Sequence, residues 1–272
     1  MALDPLYIAT AIDAALAVGR IQRQFFRQNP AVEKKGPIDL VTEADLAAER
    51  HFRGIIERRF PSHVVLGEEG AGQAGPAGAR CRWIIDPVDG TTNFAHGLAL
   101  FCVSIALEID GQIEVGVVYD PMAEELFTAE RGQGARLNGV PIAVSPRSEL
   151  VDSLLCTGFP YSVREHPRRQ VEVFRAFLGR ARAVRRLGSA ALDLCYVAAG
   201  RFEGFWEEQL HAWDMAAGVL IVEEAGGRVT RYDDSRVDLF GGQIVATNRR
   251  IHGAMLDVIR GVHHAGQPGD GS

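Results

Sequence analysis

The sequence predicts a mixed α and β protein, with a mostly antiparallel sheet in its N-terminal half and a smaller α/β C-terminal half. Residues 101–121 have the pattern of two strands around Asp110-Gly111, a dipeptide typical of tight hairpins. From Ser153 onward, short apolar strands alternate with helical segments. The pattern changes near Ser145-Pro146 without a long linker, which favours a subdomain boundary near residue 150.

The N-terminal half, residues 1–150, begins with two predicted helices. Apolar residues recur at helical spacing over residues 5–28. Thr42-Glu43-Ala44-Asp45 has the form of a capping box ahead of a helix over residues 46–59. The predicted strands are residues 64–66, 83–85, the two arms of the hairpin, 125–128 and 134–137, with Asn138-Gly139 as a further turn. Residues 70–80 are rich in Gly and Ala, which predicts a mobile surface loop.

The C-terminal half, residues 151–262, is predicted to alternate strands with helices. The predicted strands are residues 153–156, 185–187, 202–207, 228–232 and 244–246. The predicted helices are residues 167–180, 189–199, 214–225 and a last helix from residue 250. Residues 263–272 are mostly small or turn-forming, which predicts a disordered tail.

Composition limits the classes of function. The chain has 272 residues, 47% of them hydrophobic and 24% charged, which is ordinary for a soluble protein with a large core. A net charge of −6 argues against nucleic acids and acidic membranes as the main partners. It is compatible with an anionic substrate, because bound divalent cations would invert the local field. The four cysteines form no C-x-x-C pair, and the sequence shows neither a signal peptide nor a membrane-spanning run, so we expect a cytoplasmic protein with free thiols.

The strongest chemical signal follows the predicted strand 83–85, in the run of residues 86–92 (DPVDGTT). Pro87 presets a bend between two carboxylates, and Gly90 lets the backbone approach a ligand closely. Carboxylates suit hard divalent cations, and free N–H groups at a helix start suit a phosphate. The pattern points to metal-assisted phosphate chemistry. A lone D-x-x-D, however, more often marks a strand-to-turn corner with capping acids.

Acids elsewhere in the chain strengthen the metal hypothesis. Glu68 follows the strand 64–66 and reaches Asp86 if the two strands are neighbours. Asp214 begins an almost wholly apolar helix, so we expect it deep in the structure. Simpler roles are a solvated turn for Glu68 and helix caps for Asp214 and Asp45, and His211 fits a rim residue. Hard oxygen ligands of this type select Mg²⁺, Mn²⁺ or Ca²⁺ over zinc.

The chain resembles the inositol monophosphatases, within the superfamily that includes fructose-1,6-bisphosphatase and the 3′-nucleotidases. The resemblance rests on four motifs in the family's order: Gly67-Glu68-Glu69, residues 83–94 (WIIDPVDGTTNF), residues 213–218 (WDMAAG) and, more weakly, residues 41–45 (VTEAD). Residues 131–135 (RGQGA) and 188–191 (GSAA) are similar to the bacterial members. The resemblance implies a layered α-β-α-β-α sandwich of the sugar-phosphatase type, commonly a homodimer inhibited by lithium. Gly70 departs from the Ser that many members have there, at a position that is not a ligand.

The resemblance also implies roles for individual residues. The implied metal ligands, for two or three Mg²⁺ that Mn²⁺ can replace, are Glu68, Asp86, Asp89, Asp214 and the carbonyl of Val88. The implied catalytic residues are Asp45, Thr91 and Glu68, of which Asp45 and Thr91 would orient an attacking metal-bound water. The implied phosphate-binding residues are Gly90, Thr91 and Thr92. The implied contacts to substrate hydroxyls are Asp89, Ala190 through its backbone, Glu207 and Asp214.

The implied function is Mg²⁺-dependent hydrolysis of a phosphate monoester, foremost myo-inositol 1-phosphate, by an activated water. The same chemistry would serve fructose-1,6-bisphosphate, histidinol phosphate or a nucleotide 3′-phosphate. A second phosphate would need a basic pocket, to which Arg185 and Arg186 could contribute, although a solvated or subdomain-facing pair is the simpler interpretation. An alternative of another class is a partner protein of the bacterial transcription machinery.

Overall fold

The described part of the chain contains seven helices, and its strands form two large sheets and a small two-stranded ribbon. The computed structural model describes residues 3–26, 32–34, 40–70, 79–164 and 167–265. The helices are α1 (Pro5–Phe26), α2 (Glu43–Arg59), α3 (Thr91–Ala95), α4 (Pro167–Leu178), α5 (Ala190–Ala198), α6 (Ala212–Glu224) and α7 (His252–Ala265). The strands are β1 (Val32–Lys34), β2 (Leu40–Thr42), β3 (Val64–Gly67), β4 (Cys81–Asp89), β5 (Cys102–Ile109), β6 (Gln112–Asp120), β7 (Glu125–Glu130), β8 (Ala135–Leu137), β9 (Val140–Pro141), β10 (Leu154–Thr157), β11 (Ala183–Arg185), β12 (Gly204–Glu208), β13 (Arg228–Thr230) and β14 (Gln243–Thr247). Short 3₁₀ turns occupy Leu150–Asp152 and Tyr161–Arg164.

The first sheet has seven strands, in the sequential order β3-β4-β5-β6-β7-β8-β9. Its first two strands, β3 and β4, are parallel, and the pairs from β4 to β9 are antiparallel. The Asp110-Gly111 and Asn138-Gly139 turns have positive φ at both positions, as a two-residue hairpin turn requires, so both predicted turns are confirmed. Gly67 pairs with Ile85 in the parallel register, which brings Glu68 next to Asp86.

The second sheet has the order β11-β10-β12-β14-β13 and is mixed. Strand β10 runs parallel to both β11 and β12, and β14 runs antiparallel to both β12 and β13. Helices connect the parallel strands, as the alternating sequence pattern predicts. The carboxyl end of β12, which carries Glu207, faces the same side of the molecule as the N-terminus of α5, because both line one cavity.

The elements stack in five layers. Helices α1 and α2 pack on the outer face of the first sheet, through a core that contains Phe52 and Trp83. Helices α5 and α6 lie between the sheets, in a core that includes Leu220 and Phe205. Helices α4 and α7 cover the far face of the second sheet, where Phe177 is buried. This confirms the layered α-β-α-β-α prediction. The middle helices share one hydrophobic core with both sheets, so the packing does not mark a boundary between two halves. The subdomain division near residue 150 therefore stays a prediction.

Several predicted boundaries were wrong, for local reasons. Helix α2 begins at Glu43, directly after its N-cap Thr42. Helix α6 begins at Ala212, so Asp214 is its third residue; His211 is an unusual N-cap, which hid the start. Strand β11 lies two residues earlier than predicted. Helix α7 continues to Ala265, three residues into the predicted disordered tail.

Other predictions fall partly outside the described residues. Residues 71–78, most of the predicted loop over residues 70–80, lie outside the described residues. Residues 266–272 of the predicted tail lie outside them as well. The β1–β2 ribbon was not predicted.

Among the described helices, none is long and apolar enough to cross a membrane.

Candidate active site

The site is built around an irregularity in β4. This strand continues beyond Ile85, where it was predicted to end, through to Asp89. Asp86 pairs with Ser104 and Asp89 with Cys102, so β4 takes three steps where β5 takes two. In a regular strand, side chains three residues apart point to opposite faces. The extra residue of the bulge breaks this alternation and lets both carboxylates reach one cluster.

A buried glutamine of α1 supports the bulge. Gln22 Nε2 donates hydrogen bonds to the carbonyl of Pro87, at 2.7 Å, and to that of Cys102, at 3.0 Å. These bonds satisfy two backbone acceptors beside the irregular register. Sequence reasoning missed Gln22, although its position four residues after Val18 puts it on the buried face of α1.

Three acids form the centre of the site. Oxygen atoms of Asp86, Asp89 and Asp214 all lie within 4.8 Å of one another. Asp86 and Asp89 are buried, and Asp214 is partly buried at the start of α6. Asp214 Oδ2 accepts the His211 N–H at 2.7 Å, so it caps the helix and belongs to the cluster as well. Glu68 lies at the end of β3 next to Asp86, and its charge acts on the carboxyl groups of both Asp86 and Asp214.

The cluster has the electrostatics of a cation site. Burial raises the pKa of Asp86 well above its usual value, and the charges of Glu68, Asp89 and Asp214 raise it further. Burial and the charge of Asp89 raise the pKa of Asp214 in the same way. Several carboxylates so close together can all ionise when divalent cations compensate their charge. The residues present therefore fit Mg²⁺ or Mn²⁺, and three of the predicted metal ligands, Asp86, Asp89 and Asp214, lie together in the structure.

Asp89 joins the two halves of the chain. Its Oδ2 accepts the Ser189 hydroxyl at 2.6 Å and the Ala191 N–H at 2.7 Å, and its Oδ1 lies 3.3 Å from the donating N–H of Ala190. Ser189 is also the N-cap of α5. The start of α5 thus holds a carboxylate from the first sheet, an arrangement that the helix dipole stabilises. Ser189 was missed as a site residue; its signal was its position at the start of a predicted helix.

Asp45 combines the two roles that the sequence left open. Its Oδ2 accepts the Thr42 N–H at 2.8 Å and the Thr42 hydroxyl at 2.5 Å, which completes the predicted capping box. Its Oδ1 faces Thr91, whose hydroxyl oxygen lies 3.3 Å away and also 2.9 Å from the Val88 carbonyl. Asp45 is fully buried, and burial raises its pKa to about 6. Cap and site residue are therefore compatible assignments.

The predicted phosphate-binding segment forms the start of α3. Gly90 is the N-cap, with a φ of +100° that only glycine adopts readily. A Cβ at this position would also lie 3.1 Å from the Leu100 carbonyl oxygen. The first N–H groups of a helix have no acceptor within it. Gly90, Thr91 and Thr92 line the cavity beside the acidic cluster.

The far end of the cavity is lined by residues of the second sheet. The cavity has a volume of about 310 Å³ and extends from the acidic cluster to Glu207 on β12. Glu207 is 8% exposed, and burial raises its pKa to about 8 although the charge of Arg186 opposes the shift. A Cβ on Gly158 would lie 2.1 Å from the Glu207 oxygens, so the carboxylate packs directly on that backbone. Ala190, the other predicted contact at this end, also lines the cavity.

Two charged residues of this end were not predicted as site residues. Arg186, which the sequence offered only as one of a pair for a possible basic pocket, lines the cavity, and its neighbour Arg185 does not; both side chains are exposed. Asp193 lies on α5, one turn after Ala190, and is 1% exposed. The sequence indicates Asp193 only through its position, since it is an acid inside an otherwise apolar predicted helix.

The layered fold gathers buried acids beside one cavity, as expected for a metal-dependent phosphatase. The model of the inositol monophosphatase family matches residues 4–264, and the chain belongs to that family. Its enzymatic class is therefore that of a phosphatase.

Relatives of known name agree with this assignment. The chain is 47% identical over 233 residues to the inositol-1-monophosphatase of Rhizobium meliloti, covering 86% of this chain and 87% of the relative. It is 46% identical over 233 residues to the Nus factor SuhB of Pseudomonas aeruginosa, covering 85% and 86%. The solved structure of inositol monophosphatase from Anabaena (Nostoc) sp. superposes with a TM-score of 0.86 at 43% identity, covering 94% of this chain and 96% of that one.

The metal-free protein is expected to lose stability as the pH rises from about 7 to 8.5. The pKa of Glu207 is raised to about 8, so up to about pH 8 the folded state holds a proton that the unfolded chain has already released. Stability falls with pH wherever the folded state binds more protons. His252, whose pKa is lowered to about 4, has the opposite effect, but that effect is complete below this range.

The measurement is the melting temperature in EDTA across this pH range. Glu207→Gln should flatten the decline, and added Mg²⁺ should stabilise the protein more at pH 8.5 than at pH 7, because cations bind the ionised acids. A melting temperature in EDTA that rises over the same range would contradict the assignment.

Proposed function

We propose that this chain hydrolyses phosphate monoesters of polyols, with myo-inositol 1-phosphate as the best candidate and Mg²⁺ as the cofactor. The observation that carries the proposal is the cluster of Asp86, Asp89 and Asp214, whose oxygens lie within 4.8 Å of one another beside the start of α3. Two or three Mg²⁺ would be held by this cluster with Glu68 and the Val88 carbonyl, and Mn²⁺ would substitute. Bound Mg²⁺ lowers the pKa of water and neutralises negative charge on phosphate and leaving oxygens.

The chain's own residues would perform the remaining tasks. The N–H groups of Gly90, Thr91 and Thr92 would bind the phosphate oxygens, as helix starts do for anions. Asp45 would accept a hydrogen bond from Thr91, whose oxygen is then oriented to accept one from the attacking water. This is positioning and electrostatic stabilisation, which dominate catalysis of phosphoryl transfer.

The other end of the cavity would select the leaving group. Glu207 is a buried acceptor suited to a hydroxyl, and the backbone of Ala190 borders the same space. One guanidinium, that of Arg186, also lines the cavity. Fructose-1,6-bisphosphate, histidinol phosphate and nucleotide 3′-phosphates are the alternative substrates of the same chemistry. A homodimer, inhibition by lithium and a cytoplasmic location belong to the same proposal.

A panel of phosphate esters tests this function directly. Release of inorganic phosphate from inositol, fructose, histidinol and nucleotide esters would be measured with Mg²⁺, with Mn²⁺ and in excess EDTA. We expect the highest kcat/KM for the inositol ester, and a loss of at least about a hundredfold in EDTA that added Mg²⁺ restores, since the metals supply most of the charge stabilisation. Full activity in EDTA, or turnover of no ester, would refute the proposal.

A second candidate is a partner role in the transcription machinery, which is favoured by the name of one relative, Nus factor SuhB. The two roles are compatible. A variant that has lost the metal cluster, such as Asp86→Asn, separates them, because binding that survives in this variant does not depend on phosphatase chemistry.

A further inference from the structure

One buried acid in the cavity has no part in the functions assigned so far. Asp193 Oδ1 has no hydrogen-bond partner among the residues that the structure describes, although its side chain is 1% exposed. Buried polar atoms are nearly always paired, so such an atom needs an explanation. Asp193 lines the cavity, which means that a bound molecule can supply the missing partner.

The position of Asp193 relates it to the leaving group rather than to the phosphate. It lies three residues after Ala190 on α5, and residues at this spacing share a helix face. The charges of Glu207 on β12, Asp89 on β4 and Arg186 after β11 act on it, and the Cys156 thiol on β10 donates a hydrogen bond to its carboxyl group. Of these, Glu207 is the strongest charged influence, so the two carboxyl groups border the same end of the cavity from different elements.

We propose that Asp193 is a specificity-determining residue that, together with Glu207, binds neighbouring hydroxyl groups of a polyol leaving group. The inference rests on the proposed phosphatase function and adds a second carboxyl group to the leaving-group end. Two carboxyl groups on opposite elements can hold two hydroxyls of one ring, and a compound with a single hydroxyl or none would leave at least one of them unpaired.

The electrostatics favour a neutral polyol over a cationic leaving group. Burial and the charge of Glu207 raise the pKa of Asp193 well above its usual value, and burial raises that of Glu207 to about 8. If the carboxyl groups of Asp193 and Glu207 retain a proton, they can both donate and accept hydrogen bonds. A hydroxyl group can also donate and accept, so it matches them. An ammonium group would need at least one of the two acids ionised, against the raised pKa of both, and the nearby Arg186 would repel it.

The test compares two substrates that share the phosphate but differ in hydroxyl groups: myo-inositol 1-phosphate and p-nitrophenyl phosphate. Asp193→Leu should lower kcat/KM for the inositol ester about tenfold to a hundredfold more than for the aryl ester, mainly through KM, as expected for a lost hydrogen bond to a charged or polar group. Asp193→Asn keeps a donor and an acceptor and should lose less. Glu207→Gln should reduce the same ratio.

A matched control is Glu203→Gln. Glu203 is as deeply buried as Asp193, but its oxygens are paired with the Arg147 guanidinium and the Leu154 N–H, and it does not line the cavity. This variant should leave the substrate ratio unchanged. Equal losses on both substrates in Asp193→Leu would assign Asp193 a structural role and overturn the proposal, as would an unchanged ratio.

Failure of the proposed function gives a different result. If the wild type releases phosphate from neither ester, calorimetric binding of free myo-inositol in the presence of Mg²⁺ and inorganic phosphate decides on Asp193. Binding that Asp193→Leu weakens by tenfold or so would support the residue's role. Absent binding, or equal binding by the two proteins, would overturn it. Leu places an apolar group of similar shape in a buried position, so the melting temperature of the Asp193→Leu variant should not fall below that of the wild type. This melting temperature is measured alongside the binding.

Discussion

Asp86→Asn is expected to abolish Mg²⁺-dependent turnover while leaving the metal-free protein at least as stable as the wild type. Asp86 Oδ1 accepts the Val88 N–H at 2.9 Å, and the amide oxygen of Asn can keep this bond. The substitution removes a negative charge that Glu68, Asp89 and Asp214 oppose, so it relieves repulsion when no cation is present. It also removes a charged oxygen from the cluster that would hold the metal ions.

We expect kcat to fall on the order of a thousandfold or more, equivalent to ~4 kcal/mol of transition-state stabilisation. In EDTA the melting temperature should be equal to that of the wild type or higher. The rise in melting temperature that Mg²⁺ causes in the wild type should be lost, because ligand binding stabilises in proportion to affinity. The measurements are kcat at saturating Mg²⁺ and melting curves with and without the metal.

Asp120→Asn is the matched control for this experiment. Asp120 is also 2% exposed, and its Oδ1 accepts the N–H groups of Met122 and Ala123 in a similar turn. It does not line the cavity. This variant should keep its turnover and its response to Mg²⁺. An undiminished rate in Asp86→Asn, or an equal loss in both variants, would show that the cluster does not act as the metal site.

The second large effect is expected for Asp45 and Thr91, which should act as one unit. The hydroxyl of Thr91 lies 3.3 Å from Asp45 Oδ1, close enough for the carboxylate to orient it. Asp45→Asn and Thr91→Val should each lower kcat by a hundredfold or more, roughly the contribution of one positioned proton-transfer group, with small effects on KM. The double variant should be scarcely worse than either single variant, because residues that act as a unit are non-additive.

The cycle also separates this role from helix capping. Thr91→Ser retains the hydroxyl and should keep most of the activity. Loss of a cap costs about 0.5–2 kcal/mol of stability, so melting temperatures are recorded beside the rates. If the two rate losses multiply in the double variant, Asp45 and Thr91 work independently. A lowered melting temperature with an intact rate in Asp45→Asn would make Asp45 a cap alone.

Much of the fold could be predicted because its signals are local. The Asp110-Gly111 and Asn138-Gly139 turns depend on residues that tolerate positive φ, and both are present as hairpin turns. The capping box of α2 depends on residues three positions apart. Such signals depend on a few neighbouring residues, so they can be recognised in a single sequence. The start of α6 was missed for the same reason, since His211 is not a typical N-cap.

The sequence by itself determined which acids were candidates for the site: those at the ends of strands and helices, with a glycine and a helix start after Asp89. Tertiary structure decided how they converge. The bulge in β4 turns Asp86 and Asp89 toward one point, and the start of α5 holds Asp89 from a hundred residues away. It also brought Asp193 and Glu207 to one cavity, which the residues around either of them in the sequence do not indicate. The reason is physical: strand register and helix packing are set by contacts between distant segments, whereas turns and caps are set by the few residues that form them.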